Sequence, residues 1–463
     1  MRLKINKKII LTLILLSVFL ISSGITAQEI SIEEAIQIGL ENNKQIKEVR
    51  DNIMQLERNL AIERANNDWQ LNLITDYDYS FDREEDTKYL NITLGKTFLS
   101  GFEITPDTKI NVDEDLDTSF NISLKKQLYP QLPTKLAETY YRTDKELLKA
   151  GNNLIDQKIE SILSWLEIYL NVNRVTTRQN IFEESLSKAE DNLVIVLERE
   201  QLGDAGENEI LTAELSLENA RYSLKEAEIQ LEDIYNNLAI ELGFPEETIL
   251  ITDNNQYISG LQEKARRYSE GYLKKDMSTL MSIVEENNID LQANLIDREV
   301  LRQELAWLKQ ENNPGLDLTS SFNTADDDLT LGISLSYQLY DSGQHQLNLK
   351  EKEIEIADNI DSYDNLYSTL KQGVKEHIDD IELSQMALKK EELSLARSEY
   401  ELKVAEKQLA AGLIDYLEYQ EYWISAAEAK ISLKSLEDQL FLDRLELIKF
   451  INRKDIVDII GGF

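Results

Sequence analysis

The chain has 463 residues, with 49 Lys and Arg against 86 Asp and Glu, a formal charge of −37. So acidic a chain is unsuited to non-specific nucleic-acid binding, which rests on cationic contacts to phosphate. The absence of cysteine excludes disulfides, thiolate zinc sites, iron–sulfur clusters and a Cys-anchored lipid.

Only 5 of the 463 residues are proline, against a usual share of about 5%, which favours long uninterrupted helices. In chain order, residues 1–27 read as a secretory signal. Met1 to Lys8 is basic, Ile9 to Ile21 is apolar, and Ser22 to Ala27 offers small residues for cleavage after Ala27. The apolar run is short of the ~20 residues that span a bilayer as a helix. No later stretch is a continuous apolar span, so the remainder is expected to be either soluble outside the cytoplasm or a β-barrel, whose alternating strands escape a hydropathy scan.

A first repeat is expected over 28–245: a helix over about 31–66, strands within about 69–129, a very long helix over 135–201, a sharp turn, and a helix over 207–242. A linker, 246–271, leads to a second repeat over 272–455 with helices at about 278–312, 344–410 and 418–453 and strands within about 315–340. A tail covers 456–463. The duplication is visible in matched segments. Glu41-Asn42-Asn43 matches Glu286-Asn287-Asn288, Asn66-Asn67 matches Asn312-Asn313, and Asn121 to Tyr129 matches Gly332 to Tyr340. The first half holds an extra segment near 84–117. Pro106, Pro130, Pro133, Pro245 and Pro314 all fall in strands, loops or helix ends, outside helix interiors where each would cost about 3 kcal/mol. At 1.5 Å per residue the two longest helices would each reach roughly 100 Å, too long for an ordinary globular domain, so they are expected to pack side by side as a coiled-coil bundle. Leu217, Ala220, Leu224, Ala227, Leu231, Ile234 and Leu238 form its heptad seam, and Ile424, Ala427 and Ile431 start another.

Between the helices the period changes to two. Leu329, Leu331, Ile333, Leu335, Tyr337 and Leu339 alternate with polar residues, as do Phe120, Ile122, Leu124 and Leu128, and Leu71, Leu73, Tyr77, Tyr79 and Phe81. Leu90, Ile92, Leu94 and Phe98 form another such run, turning at Ser100-Gly101. These strands suit either a membrane barrel with a wet lumen or an antiparallel sheet with one face on a soluble core. The acidic loops Asp82 to Asp86, Asp113 to Asp115 and Asp326 to Asp328, with the signal segment, favour the barrel. One chain has too few strands to close it, so several copies are needed.

Taken together, the two repeats, the signal segment, the paired helices of about 35 and 67 residues and the short β segments resemble the TolC-type outer-membrane efflux proteins. The local signatures are Ser31 to Ala35 with Glu41-Asn42-Asn43, Leu335 to Gln344, and the helix-hairpin tips Gly203 to Ala213 and Ala411 to Glu418. The resemblance covers nearly all of the chain after the signal. It implies a mainly α fold with a β-barrel portion, assembled as a homotrimer. Four strands per chain would build one 12-stranded barrel among the lipids of the outer membrane, and the helices a tunnel extending into the periplasm. It implies a passive duct of a tripartite efflux or type I secretion system, with a periplasmic adaptor (membrane fusion) protein and an inner-membrane transporter docking at Gly203, Asp204, Gly206, Gly412, Leu413 and Asp415. The acidic residues just past the tips, Glu418 and Glu421 with Glu209 as their first-half counterpart, would become carboxylate rings at a pore constriction, favouring cations. The polar latch of the best-known members, a Tyr and an Arg, is absent: Leu409 and Ile414 stand at the matching positions.

His345 and His377 lie 32 residues apart and read as surface or interface residues, since a metal site needs several converging ligands. No phosphate loop, nucleophile elbow or triad spacing appears, so no enzyme, metal or cofactor is expected. The competing reading is a structural periplasmic or surface coiled-coil protein with a soluble β domain.

Overall fold

A computed structural model of the chain describes residues 28–80, 85–112, 118–244, 249–252, 255–325 and 327–461. The signal segment, Phe81 to Glu84, Asp113 to Asp115, Pro245 and Asp326 lie outside the described residues.

The first repeat opens with β1 (Gln28–Ser31) and α1 (Ile32–Asn42). Ser31 starts α1 through a capping box: its hydroxyl accepts from Glu34 N–H at 3.2 Å, and the Glu34 carboxylate accepts from Ser31 N–H at 3.0 Å. The helix expected over 31–66 breaks at Asn43 and resumes as α2 (Lys44–Asn66). Asn43 is buried. Its Oδ1 accepts from Ile46 N–H at 3.1 Å and its Nδ2 donates to the Glu241 carbonyl at 2.8 Å. Then come β2 (Gln70–Ser80), β3 (Glu85–Thr97), β4 (Phe102–Asn111) and β5 (Thr118–Tyr129), followed by α3 (Lys135–Gln201) and α4 (Glu207–Leu242).

Residues read as a linker carry β6 (Ile249–Thr252), paired in parallel with β1, and most of α5 (Asn255–Leu273). The second repeat follows: α6 (Met277–Asn287), α7 (Ile289–Glu311), β7 (Gly315–Asn323), β8 (Asp328–Ser336), α8 (Gln344–Ala410) and α9 (Tyr416–Ile451). Its first helix breaks at Asn288, the counterpart of Asn43, whose Oδ1 accepts from Asp290 and Leu291 N–H, each at 3.0 Å. The expected tail is largely the closing helix α10 (Arg453–Ile460). The two longest helices, α3 and α8, have 67 residues each. Among the described residues no helix is long and apolar enough to cross a membrane.

Contacts divide the chain into two compact units that do not follow the repeats. One holds the described residues up to Lys47, Asp156–Val284 and the described residues from Lys371; the other holds Glu48–Ile155 and Glu285–Leu370. Each unit draws on both repeats because helices of one pack against helices of the other. In the first unit Trp165, Tyr169, Leu166, Ile32 and Leu242 are fully buried. There Tyr268 O–H donates to Asp458 at 2.8 Å and Tyr272 O–H to Asp455, tying α10 to α5. Of the expected seam, Leu217, Ala220, Ala227 and Leu238 are buried. Asp438, also buried, faces Arg174 at 3.3 Å and Lys434 at 3.5 Å. Burial pushes its carboxyl above the ordinary value, and the two cations oppose that shift.

The second unit holds one antiparallel sheet in the order β2-β3-β4-β5-β7-β8. Its strand count differs from the four per chain that the resemblance implies. Within the extra segment β3 and β4 are two additional strands inside the sheet, so there are six among the described residues. The register sorts side chains by face. Asn72, Thr93, Asp107, Asn121, Asn323 and Asp328 stand opposite one another in a polar row that crosses all six strands. The adjacent row, on the other face, is Leu71, Leu94, Pro106, Ile122, Phe322 and Leu329. Pairing of β3 with β4 skips Leu94 and Gly95, opposite Thr105 and Pro106, because proline has no N–H to give the ladder. On the edge strands the apolar face is open: Leu71 is 70% exposed and Leu331 72%.

Candidate functional site

The two helix-hairpin tips belong to the first unit and are built alike. After α3, Gly203 takes φ +82°; after α8, Gly412 takes φ +67°. Glycine adopts this left-handed backbone without a Cβ clash. In both tips it closes a Schellman motif. Gly203 N–H donates to the Glu200 carbonyl and Asp204 N–H to the Arg199 carbonyl, both at 2.8 Å. Gly412 N–H donates to Leu409 at 2.9 Å and Leu413 N–H to Gln408 at 2.8 Å.

The return helices start differently. Gly206 caps α4 with no side-chain hydrogen bond, while Asp415 caps α9 by accepting from Glu418 N–H at 2.8 Å. Glu418 and Glu421 are solvent-exposed and three residues apart, one turn along the same helix face. Neither has an ion-pair partner among the described residues. Glu209 is held otherwise: its carboxylate pairs with Arg199 at 3.0 Å across the tip. Arg199 also donates to the Asp204 carbonyl at 2.9 Å, so one guanidinium clamps the first tip. The second tip has Gln408 in that place. At the apices Leu202 and Leu413 are 79% and 74% exposed.

Behind the apices the hairpins are joined by polar groups that sequence reading missed. Gln420 is buried between Ser185 of α3 and Ser216 of α4. Its Nε2 donates to Ser185 Oγ at 3.0 Å and its Oε1 accepts from Ser216 Oγ. Beside it the Lys188 ammonium lies 4.1 Å from the Trp423 ring centroid. Tyr416 and Tyr419 stand 6.0 Å apart, and burial, Tyr419 and Asp191 push the Tyr416 hydroxyl up to about 12, so it stays neutral. The only sequence cue to Gln420 is its polarity one residue from the acidic Glu418 and Glu421 face, on the side turned toward the seam. Arg199 could be found as a cation in a helix's last turn facing an acid in the next helix's first.

His377 packs against Phe450 at 4.8 Å between centroids, and among the described residues no cluster of His, Cys, Asp and Glu could hold a metal. The site is a pair of glycine-closed helix turns bearing exposed acids.

Comparison with known proteins bears on the fold that carries these tips. Residues 280–453 match the family model of the outer membrane efflux protein. The chain is similar in structure to CusC (TM-score 0.65, 13% identity, covering 94% of this chain and 93% of that one), the subject of work on folding and transmembrane channel formation. It is also similar to the outer membrane protein VceC of Vibrio cholerae (0.63, 13%, 93% and 96%). A third is the CmeC outer membrane channel of Campylobacter jejuni (0.64, 13%, 93% and 89%). Among curated proteins none matches the chain. At these identities the structural likeness is one of fold. Residues 280–453 thus match the outer membrane efflux protein family, and the fold of the outer-membrane channels runs through almost the whole chain.

Proposed function

We propose that this chain is the outer-membrane duct of a tripartite efflux or type I secretion system: a passive homotrimer whose helix-hairpin tips dock with a periplasmic adaptor and an inner-membrane transporter. The observation that carries it is the two-faced sheet joined to duplicated helical hairpins. An apolar row and a polar row run side by side across every strand, as a wall between lipid and water requires. The exposed Leu202 and Leu413 support docking at the tips, because apolar side chains at a helix apex are most useful when a partner covers them.

Glu418 and Glu421, exposed and without an ion-pair partner among the described residues, are assigned to the carboxylate rings of the constriction; three copies would repeat each around the axis. Glu209 contributes less, since Arg199 offsets its charge. Purified protein in a planar bilayer should carry cation-selective current, and Glu418→Ala with Glu421→Ala should reduce the cation-to-anion permeability ratio by about two-fold or more. A ratio unchanged in the double variant would remove the ring assignment. A protein that carries no current and is released with the soluble periplasmic fraction would instead be the structural coiled-coil protein.

A further inference from the structure

The sheet has six strands where four would serve, and the added pair, β3 and β4, is continuous with the rest in both register and chemistry. Thr93 and Asp107 take their places in the polar row, and Leu94 and Pro106 theirs in the apolar row. A hairpin projecting beyond the membrane would not need an apolar face aligned with its neighbours. Its turn is also tight: Phe98 N–H donates to the Phe102 carbonyl and Gly101 N–H to the Phe98 carbonyl, each at 2.8 Å. That turn lies at the sheet end from which the helices leave, since β2 begins there after α2 and β3 returns to it. The strand ends Ser80, Glu85, Asn323 and Asp328 lie at the other end, and the sequence between the members of each pair carries acids. The β3–β4 turn therefore shares the rim of the helices, and β3 and β4 run the full height of the sheet with their neighbours.

β2 and β8 are the open edges. Strand direction alternates across the sheet, so the two edges run in opposite directions and β8 of one copy can pair antiparallel with β2 of another. An uncovered strand edge in a lipid environment leaves N–H and C=O groups without partners, which closure alone repairs.

We propose that the wall is closed by three copies of this chain with six strands each, 18 in all, and that the insertion of β3 and β4 is a device that widens the outer portal. This rests on the trimeric duct proposed above. Barrel diameter grows roughly in proportion to strand number, so the portal is about 1.5-fold wider than a 12-stranded one and about two-fold larger in cross-section. It would pass bulkier cargo than the four-strand plan allows.

The test is an electron cryo-microscopy reconstruction of the full chain purified from outer membranes, with the strands counted. Eighteen in one closed wall is the expected result. Twelve, with β3 and β4 outside the wall, would overturn the proposal and leave the duct intact. A chain with no closed wall would overturn both. A variant lacking residues 85–112 joins β2 directly to β5, antiparallel neighbours by direction. Its wall should shrink in diameter by about a third. If that variant fails to fold, the full-chain count decides alone.

Discussion

Gly39 in α1 shows how closely the first unit is packed. A Cβ there would stand 2.6 Å from Trp165 Cη2 and 2.7 Å from Leu242 Cδ2, and both side chains are fully buried. Two effects oppose each other in Gly39→Ala. Helix propensity favours alanine by about 1 kcal/mol, but overpacking a filled core costs about 1–3 kcal/mol. The ring and the leucine are fully buried, so overpacking wins and a net loss of up to about 2 kcal/mol is expected, read as a lower denaturation midpoint. Gly151, inside α3, has nothing within 4 Å of its Cβ position. There propensity acts alone, and Gly151→Ala should stabilise by about 0.5–1 kcal/mol. Opposite signs for the two alanines are the check; a stabilising Gly39→Ala would mean that the Trp165 cluster is loose.

At the scale of elements, the Gln420 contact sets the registry of one hairpin against the other. Gln420→Leu leaves the Ser185 and Ser216 hydroxyls buried and unsatisfied, at about 1–3 kcal/mol each. Replacing the serines with alanine in the same chain removes that penalty. The triple variant should therefore recover most of the stability lost by the single one; if it is as weak as Gln420→Leu, the hydrogen bonds are not what the residue contributes. Such a contact was not legible in the sequence, because its partners lie 204 and 235 positions away. What was legible is local. The bounds of α3, α4 and α8 follow from proline-free runs ended by Gly203, Gly243 and Gly412. The breaks at Asn43 and Asn288 were hidden, since asparagine is tolerated within a helix pattern and reveals itself as a cap only through its own hydrogen bonds. Strand β3 announced itself through Leu90, Ile92 and Leu94, but β4 did not: Pro106 and Thr108 on its apolar face blur the alternation, and only the register with β5 shows which face they share. The tips were found by their glycines, whereas the Arg199–Glu209 pair that divides Glu209 from Glu418 and Glu421 needed the turn to bring it together.

For the whole molecule the governing quantity is charge. With 86 acids and 49 bases, repulsion is distributed along the chain and few cations are left to offset it. Many of the observed ion pairs join neighbours within one helix, such as Lys188 with Glu184, Arg221 with Glu218 and Arg397 with Glu401, and are largely exposed. Each is worth no more than about 0.5 kcal/mol. Salt weakens these attractions and the wider repulsion together, but the excess of like charges makes repulsion the larger sum. Raising sodium chloride from about 0.1 M to about 1 M shortens the screening length from about 10 Å to about 3 Å. The melting temperature of the detergent-solubilised protein should rise on the order of a few degrees over that range. Potassium chloride should act equally, because screening depends on ionic strength rather than on the cation. A melting temperature that falls with salt would mean that the ion pairs outweigh the net charge, and a difference between the two salts would point to specific cation binding instead.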